Sequence, residues 1–188
     1  MSRSLISVQK SQIVDVLLLL ASMWLVFILQ ILFPYDLSSY GIVPRTFTGF
    51  LHIPLAPWVH HSTTHIIFNS VPLLVLGFIV HLSGRTQFWE VTILITLISG
   101  LGTWLIGSSG LHGGASGLIM GYWSYILVNA LFKRSAKNIF LALITLFFYG
   151  GMFLILLDAR PQISWAGHAS GFAAGAITVW LKYKVRRN

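Results

Sequence analysis

Four side chains of this 188-residue sequence are of types that together carry out acyl transfer. Ser116 stands in "HGGASGLIMGY", behind Gly113 and Gly114 and ahead of Gly117, while His168 stands in "SWAGHASGFAAG" and His65 and Asn69 share "HSTTHIIFN". An imidazole within reach of a hydroxyl takes its proton, the oxygen attacks a carbonyl carbon, and the imidazolium returns the proton to the leaving amine. The tetrahedral oxyanion then needs donors. The Ser116 backbone N–H at a helix N-terminus can serve, as can the side chains of His65 and Asn69, which lie four residues apart on one helical face. Losing one such donor typically costs about 10²- to 10³-fold in rate. A third member is harder to find, because the only acids are Asp15, Asp36, Glu90 and Asp158. None lies close in sequence, so a Ser116–His168 dyad is favoured over a triad.

Each of these residues also has a plainer role. A serine where a helix begins is more often its N-cap than a nucleophile. A histidine within an apolar run can simply bridge two helices, and His65 and Asn69 can be solvated helix-end residues. The catalytic reading gains weight only if separate elements bring all four to one place.

The elements that must do so are apolar. Hydrophobic residues make up 56% of the chain and charged ones 9%, against roughly 25% charged in soluble domains. The mean hydropathy is +0.82. Crossing a hydrocarbon core takes roughly 20 helical residues, and six runs qualify, near 12–33, 64–82, 88–106, 114–132, 138–157 and 163–181. They are continuous rather than alternating, which disfavours a β-barrel. The first run is too long for a signal-peptide core and lacks a small-x-small cleavage site, so it reads as a retained span. The connector 34–63 holds four of the six prolines but is too apolar for a solvated linker. It is expected to be half-embedded and packed on the helices, since irregular backbone at membrane depth must be shielded.

The net charge of +8 suggests a nucleic-acid binder until the basic residues are located. With the N-terminus inside, ten of the twelve fall in inner segments and only Arg45 and Arg160 lie outside, as membrane insertion alone requires. The expected topology is N-in, C-in, with tails at 1–11 and 183–188 around a single six-span domain at 12–182. The partners this implies are the lipid bilayer and other membrane proteins, and not nucleic acid. The C-terminal "KYKVRRN" is expected to attract anionic lipid. The absence of Cys excludes disulfides, thiolate metal sites and a cysteine nucleophile.

In this topology the second, fourth and sixth spans all start outside, which brings His65, Asn69, Ser116 and His168 to one depth a few residues below the outer face. Polar groups at such depth face a bundle interior or a water-filled cavity. Gly117 and Gly121 on the fourth span, with Gly167, Gly171 and Gly175 on the sixth, form small-xxx-small stripes that let two backbones approach.

With these residues in place the sequence resembles the rhomboid intramembrane serine proteases. The resemblance covers nearly the whole chain and rests on the His65-x-x-x-Asn69 pair, "GASG" and "GHASGFAAG" in this order on the second, fourth and sixth spans. It implies a six-helix bundle with Ser116 as nucleophile, His168 as base, His65 and Asn69 at the oxyanion, and Gly114 shaping the turn before the serine. It also implies cleavage of other, single-span membrane proteins in or beside their transmembrane helices, without metal or cofactor. The plain six-span core without a transit peptide looks like the simple form of a bacterial inner membrane. Two positions depart from the family pattern. The Trp-Arg pair of the first loop is missing, since Arg45 follows Pro44 and Trp58 follows Pro57, and Met120 stands one turn after Ser116, where some members carry an aromatic ring.

Two further readings compete. One is a proteolytically inactive relative that binds transmembrane helices as a chaperone or adaptor, against which the presence of both Ser116 and His168 weighs. The other is a small transporter or channel, which would need polar groups across the whole membrane. His52, His60, His61, His81 and His112 have no evident partner in sequence and read as interface residues. A metal site from His60, His61 and His65 is disfavoured because adjacent histidines point different ways. Trp58, Trp89, Trp165 and Trp180 read as interfacial anchors. Phe147, Phe148 and Tyr149 suit either a lateral gate for substrate or the core.

Overall fold

The computed structural model describes residues 2–33, 36–156 and 164–185, with side chains from residue 13 onward except those of 155 and 185. Among these residues the secondary structure is helical, in the order α1 (Ser2–Leu32), α2 (Phe47–Leu51), α3 (Thr63–His81), α4 (Arg85–Ile106), α5 (Ser116–Phe132), α6 (Ala136–Tyr149), α7 (Met152–Leu156) and α8 (Trp165–Val185), with 3-10 turns at Leu37–Tyr40 and Ala56–Trp58. By length and composition α1, from Ile13 on, α3 and α4 are sufficient to cross a membrane. Helices α5 and α6 are apolar but shorter, at 17 and 14 residues. At 1.5 Å per residue, α5 rises about 25 Å. Helix α8 reaches 21 residues but is rich in Ala and Gly.

Helix ends follow local chemistry. Ser62 caps α3, accepting the His65 N–H at 3.1 Å, and Ser135 caps α6 in the same way through the Asn138 N–H. Three boundaries differ from the sequence reading. Helix α1 begins at Ser2 rather than near residue 12, and α8 runs on to Val185. Neither stretch contains Gly or Pro at those ends, so nothing stops the helix where its apolar run stops. The fifth run, expected to be continuous over 138–157, is instead divided into α6 and α7 at Gly150 and Gly151. Two successive glycines each cost a helix about 1 kcal/mol relative to Ala. Asp158, Arg160, Arg186 and Arg187 lie outside the described residues.

Helix α8 packs on α5 and α4, and α3 closes the bundle against α1 and α5. The core holds Met23, Leu73, Leu76, Phe88, Tyr122 and Trp123, all fully buried. Large apolar side chains such as Phe68, Phe140, Phe147 and Phe148 are exposed on the outside. This inverted arrangement suits lipid as solvent.

The connector 36–62 is folded onto the bundle. The Arg45 guanidinium donates to the Leu105 carbonyl at 3.2 Å and the Gly107 carbonyl at 2.8 Å, and Trp104 Nε1 donates to the Thr46 carbonyl at 2.7 Å. The missing Trp-Arg pair is thus replaced by fastenings to the end of α4, whose last carbonyls need donors. Trp58 is another anchor to protein, since its Nε1 donates to Ser22 Oγ of α1 at 2.9 Å.

Candidate active site

Helix α3 enters the site through its first turns, placing His65 half-buried and Asn69 buried. Against them lies the turn at Gly114. Its φ is +112°, and a Cβ there would stand 2.5 Å from His65 Cε1, 2.7 Å from His65 Nε2 and 3.5 Å from Asn69 Nδ2. Only glycine fits both the conformation and the space. The Gly114 N–H donates to the Ala56 carbonyl at 2.8 Å, which ties the turn to the first loop. Ala115 is the N-cap of α5 and Ser116 its first residue. The serine therefore does not hold the capping position. It is half-buried and stands beside the α5 N–H groups that have no intrahelical acceptor.

The next contact is between backbones. A Cβ on Gly171 would lie 2.2 Å from the Gly117 carbonyl oxygen, and one on Gly175 would lie 2.1 Å from that of Gly121. One on Gly117 would stand 3.3 Å from the Gly167 carbonyl oxygen. The residue after Ser116 thus touches the residue before His168. Gly167 takes part through its carbonyl, while its own Cα hydrogens face Ser164 Oγ and Thr103. His168 is buried, and its backbone N–H donates to the Ser164 carbonyl at 3.0 Å. Ser116, Gly113, Gly114, Gly117, Ser164 and Gly167 line one side of a pocket of about 410 Å³ that opens to solvent.

Two histidines with no evident partner in the sequence hold this site together. His60 is fully buried; its Nδ1 lies 3.3 Å from the Trp58 carbonyl, and its Nε2 receives the Asn69 amide at 3.1 Å and the Ala115 N–H at 3.4 Å. Only the neutral ring protonated on Nδ1 satisfies all three contacts. Burial, then the neighbouring His65, pushes the pKa of His60 down to about 4. His112 lies on the base side. Its backbone pairs with Ile42, its Nε2 lies 2.9 Å from the Ser108 carbonyl, and its Nδ1 lies 2.7 Å from Ser164 Oγ. Ser164 Oγ in turn accepts the Gly167 N–H at 3.1 Å. The remaining histidines also have neighbours: His52 Nδ1 contacts the Gly41 carbonyl, His61 stacks on His65, and His81 pairs with Asp15. The one cue available in the sequence was the invariable cost of burying an imidazole without partners. Those partners are backbone groups and distant side chains. Among the described residues, no group of three side chains has the geometry to hold a metal ion.

The model of the rhomboid domain matches residues 46–185. The chain belongs to the rhomboid family. This is a family of intramembrane proteases, and with its apolar helices this rhomboid is an integral membrane protein. Uncharacterised proteins of Mycobacterium bovis and Mycobacterium tuberculosis are each 39% identical to it over 178 residues, covering 88% of this chain and 73% of theirs. An uncharacterised protein of Mycobacterium leprae is 34% identical over 177 residues, covering 89% of this chain and 70% of its own.

In this rhomboid Met120 is buried one turn below Ser116. Phe147 and Phe148 are 82% and 72% exposed, so neither belongs to the core, whereas Tyr149 packs on it. At the opposite end of the bundle the Asp15 carboxylate is held by His81 Nε2 at 2.8 Å and Arg85 Nη2 at 2.9 Å. Leu73 and Leu76, fully buried, separate this cluster from Asn69 along α3. The buried polar groups of α3 thus fall towards its two ends.

Proposed function

We propose that this rhomboid is an intramembrane serine endopeptidase acting through a Ser116–His168 dyad. His168 takes the Ser116 hydroxyl proton as Oγ attacks the carbonyl carbon of the scissile peptide bond. The tetrahedral oxyanion is met by the Ser116 backbone N–H and the side chains of His65 and Asn69. As the C–N bond breaks, the His168 imidazolium gives its proton to the leaving amine and an acyl-enzyme on Ser116 remains. His168 then takes a proton from water as hydroxide adds to the ester, and returns it to Ser116 Oγ as the acyl C–O bond breaks, releasing the acid and restoring Ser116 and neutral His168. Each step uses only these side chains and water, without a metal or cofactor.

The observation that carries this reading is the packing of His65 and Asn69 against the Gly114 turn, directly before a helix-opening serine at the Gly117–Gly171 crossing. The crossing sets the approach of α5 to α8, and the turn sets where a substrate carbonyl can sit. The charge distribution supports six spans with both termini inside and the site near the outer face of a bacterial inner membrane. A single-span substrate would approach from the lipid, past the exposed Phe147 and Phe148. It would have to unwind locally to present a peptide bond.

A fluorophosphonate probe tests the dyad. The wild-type protein in detergent should label at Ser116, and Ser116→Ala and His168→Ala should not, while all three melt at similar temperature. Equal labelling of the three proteins refutes the dyad. Wild type that never labels, and never cuts a panel of single-span substrates in liposomes, supports instead an inactive helix-binding relative.

A further inference from the structure

The end of the bundle remote from Ser116 contains a second built recess, which the proteolytic reading does not use. Two adjoining hollows of about 340 and 400 Å³ share Ser83, Tyr125, Asn129 and Asn138 as walls. Lys137 lines the first, and Lys133 and Lys182 line the second. The acid at hand is Glu90, which pairs with Lys182. Among the described residues no ion pair engages Lys133 or Lys137.

The lysines are presented by a fixed turn. The Lys133 carbonyl accepts both the Ser135 N–H at 2.7 Å and Asn138 Nδ2 at 2.9 Å, and the Lys133 N–H closes the end of α5 onto the Asn129 carbonyl at 2.8 Å. The N-terminus of α6, with the positive end of its dipole, opens beside the same hollow. Gln87 Nε2 donates to the Tyr125 hydroxyl at 2.6 Å, which fixes the floor. The remaining walls are apolar: Ile79, Ile126 and Leu141 line the first hollow, and Ile139 and Phe140 lie exposed on the adjacent face of α6. Lysines from both sides of the α5–α6 turn therefore line two hollows that share walls, with a hydrocarbon-compatible surface running away from them.

We propose that this recess binds the phosphate of an anionic phospholipid, with Lys133 and Lys137 as its principal cations and the acyl chains lying along α6. A free phosphate would meet the same donors but make no use of the apolar flank. Basic pockets between membrane helices recognise lipid headgroups in this way, with each lysine contributing about fivefold in affinity. The site is independent of the Ser116 chemistry.

Native mass spectrometry of the full chain in detergent, titrated with phosphatidylglycerol, phosphatidylcholine or inorganic phosphate, tests it. Wild type should retain phosphatidylglycerol in preference to phosphatidylcholine. The double variant Lys133→Gln, Lys137→Gln should bind it about 25-fold more weakly. Arg134→Gln with Lys184→Gln removes the same charge from residues outside the recess; it loses only the general attraction of that surface for anionic lipid and should weaken binding far less than the recess variant. Equal weakening in the two double variants would mean diffuse attraction and overturn the site. So would equal retention of the zwitterionic lipid, or retention of inorganic phosphate as strong as that of the lipid. Thermal melts of both variants exclude misfolding as the cause, since all four positions are at the surface or a helix end.

Discussion

Protonating His60 should both loosen the fold and disable the site. In the structure its neutral ring accepts two donors through Nε2, the Asn69 amide and the Ala115 N–H. A second ring proton turns that acceptor into a donor. Asn69 must then flip its amide, and the fully buried Ala115 loses the acceptor for its N–H. The pKa of about 4 against the ordinary 6.5 corresponds to a difference on the order of 3 kcal/mol. The sign follows from linkage. Above pH 6.5 the ring is neutral whether the chain is folded or not, and the contribution is fully present. As pH falls below 6.5 the unfolded chain takes up a proton that the folded chain refuses, so stability is lost progressively until about pH 4. His61, also pushed down mainly by burial, titrates with the same sign. The measurement must therefore compare wild type with His60→Ala, using melting temperature and fluorophosphonate labelling rate from pH 8 to pH 4. At pH 8 the variant should be less stable by about 1–3 kcal/mol, the cost of stranding a buried donor. Its melting temperature should then fall less steeply with acid than that of wild type. Labelling of Ser116 should drop well beyond the change in stability. Parallel pH curves, or unaltered labelling in the variant, would refute the role assigned to His60.

Three further outcomes follow from the same geometry. Gly171→Ala drives a methyl into the Gly117 carbonyl, 2.2 Å away; it should cost about 1–3 kcal/mol by overpacking and abolish labelling by separating α5 from α8. Gly114→Ala combines a φ of +112° with a clash at His65; labelling should fall by about 10²-fold or more, as for loss of an oxyanion donor, with a stability loss of about 1–3 kcal/mol. His112→Ala releases Ser164 Oγ and the Ser108 carbonyl; labelling should fall while the melting temperature changes by only a few degrees, and His112→Asn, which keeps one donor and one acceptor, should recover part of it.

The sequence made the apolar elements legible because a membrane helix needs only length and composition, and those are local. The boundaries that went astray were set by something else. Helix α1 continues past its apolar run because no breaker intervenes, and α6 stops where two glycines follow one another. Ser116, His168, His65 and Asn69 stand out as candidates in the sequence because each falls in an apolar run to which the charge pattern assigns a direction. His60 and His112 do not stand out. Their partners are the Ala115 and Gly167 amides, reached either directly or through Ser164, and Asn69 from another helix. A histidine bonded to backbone leaves no trace in residue identity. Its role emerges only when the chain is folded and the buried polar atoms are matched to acceptors.

These two histidines also explain why the connector 36–62 is neither a solvated linker nor a mere cover. Each lies where loop backbone meets a helix that carries one of the proposed catalytic groups. On the nucleophile side, His60 grips the residue directly before Ser116, and the neighbouring Gly114 amide is held by the Ala56 carbonyl of the same loop. On the base side, His112 pairs by backbone with Ile42 and by side chain with Ser164, which accepts the Gly167 amide in the first turn of α8. Between the two clamps the glycine crossing brings the α5 and α8 backbones into contact, and Ser124 Oγ of α5 ties the same seam by donating to the Phe172 carbonyl. A polar site in lipid cannot rely on apolar burial to tighten it, because the tails outside are as apolar as the core. Hydrogen bonds to backbone, supplied by the loop, and close backbone packing, supplied by glycine, take that place.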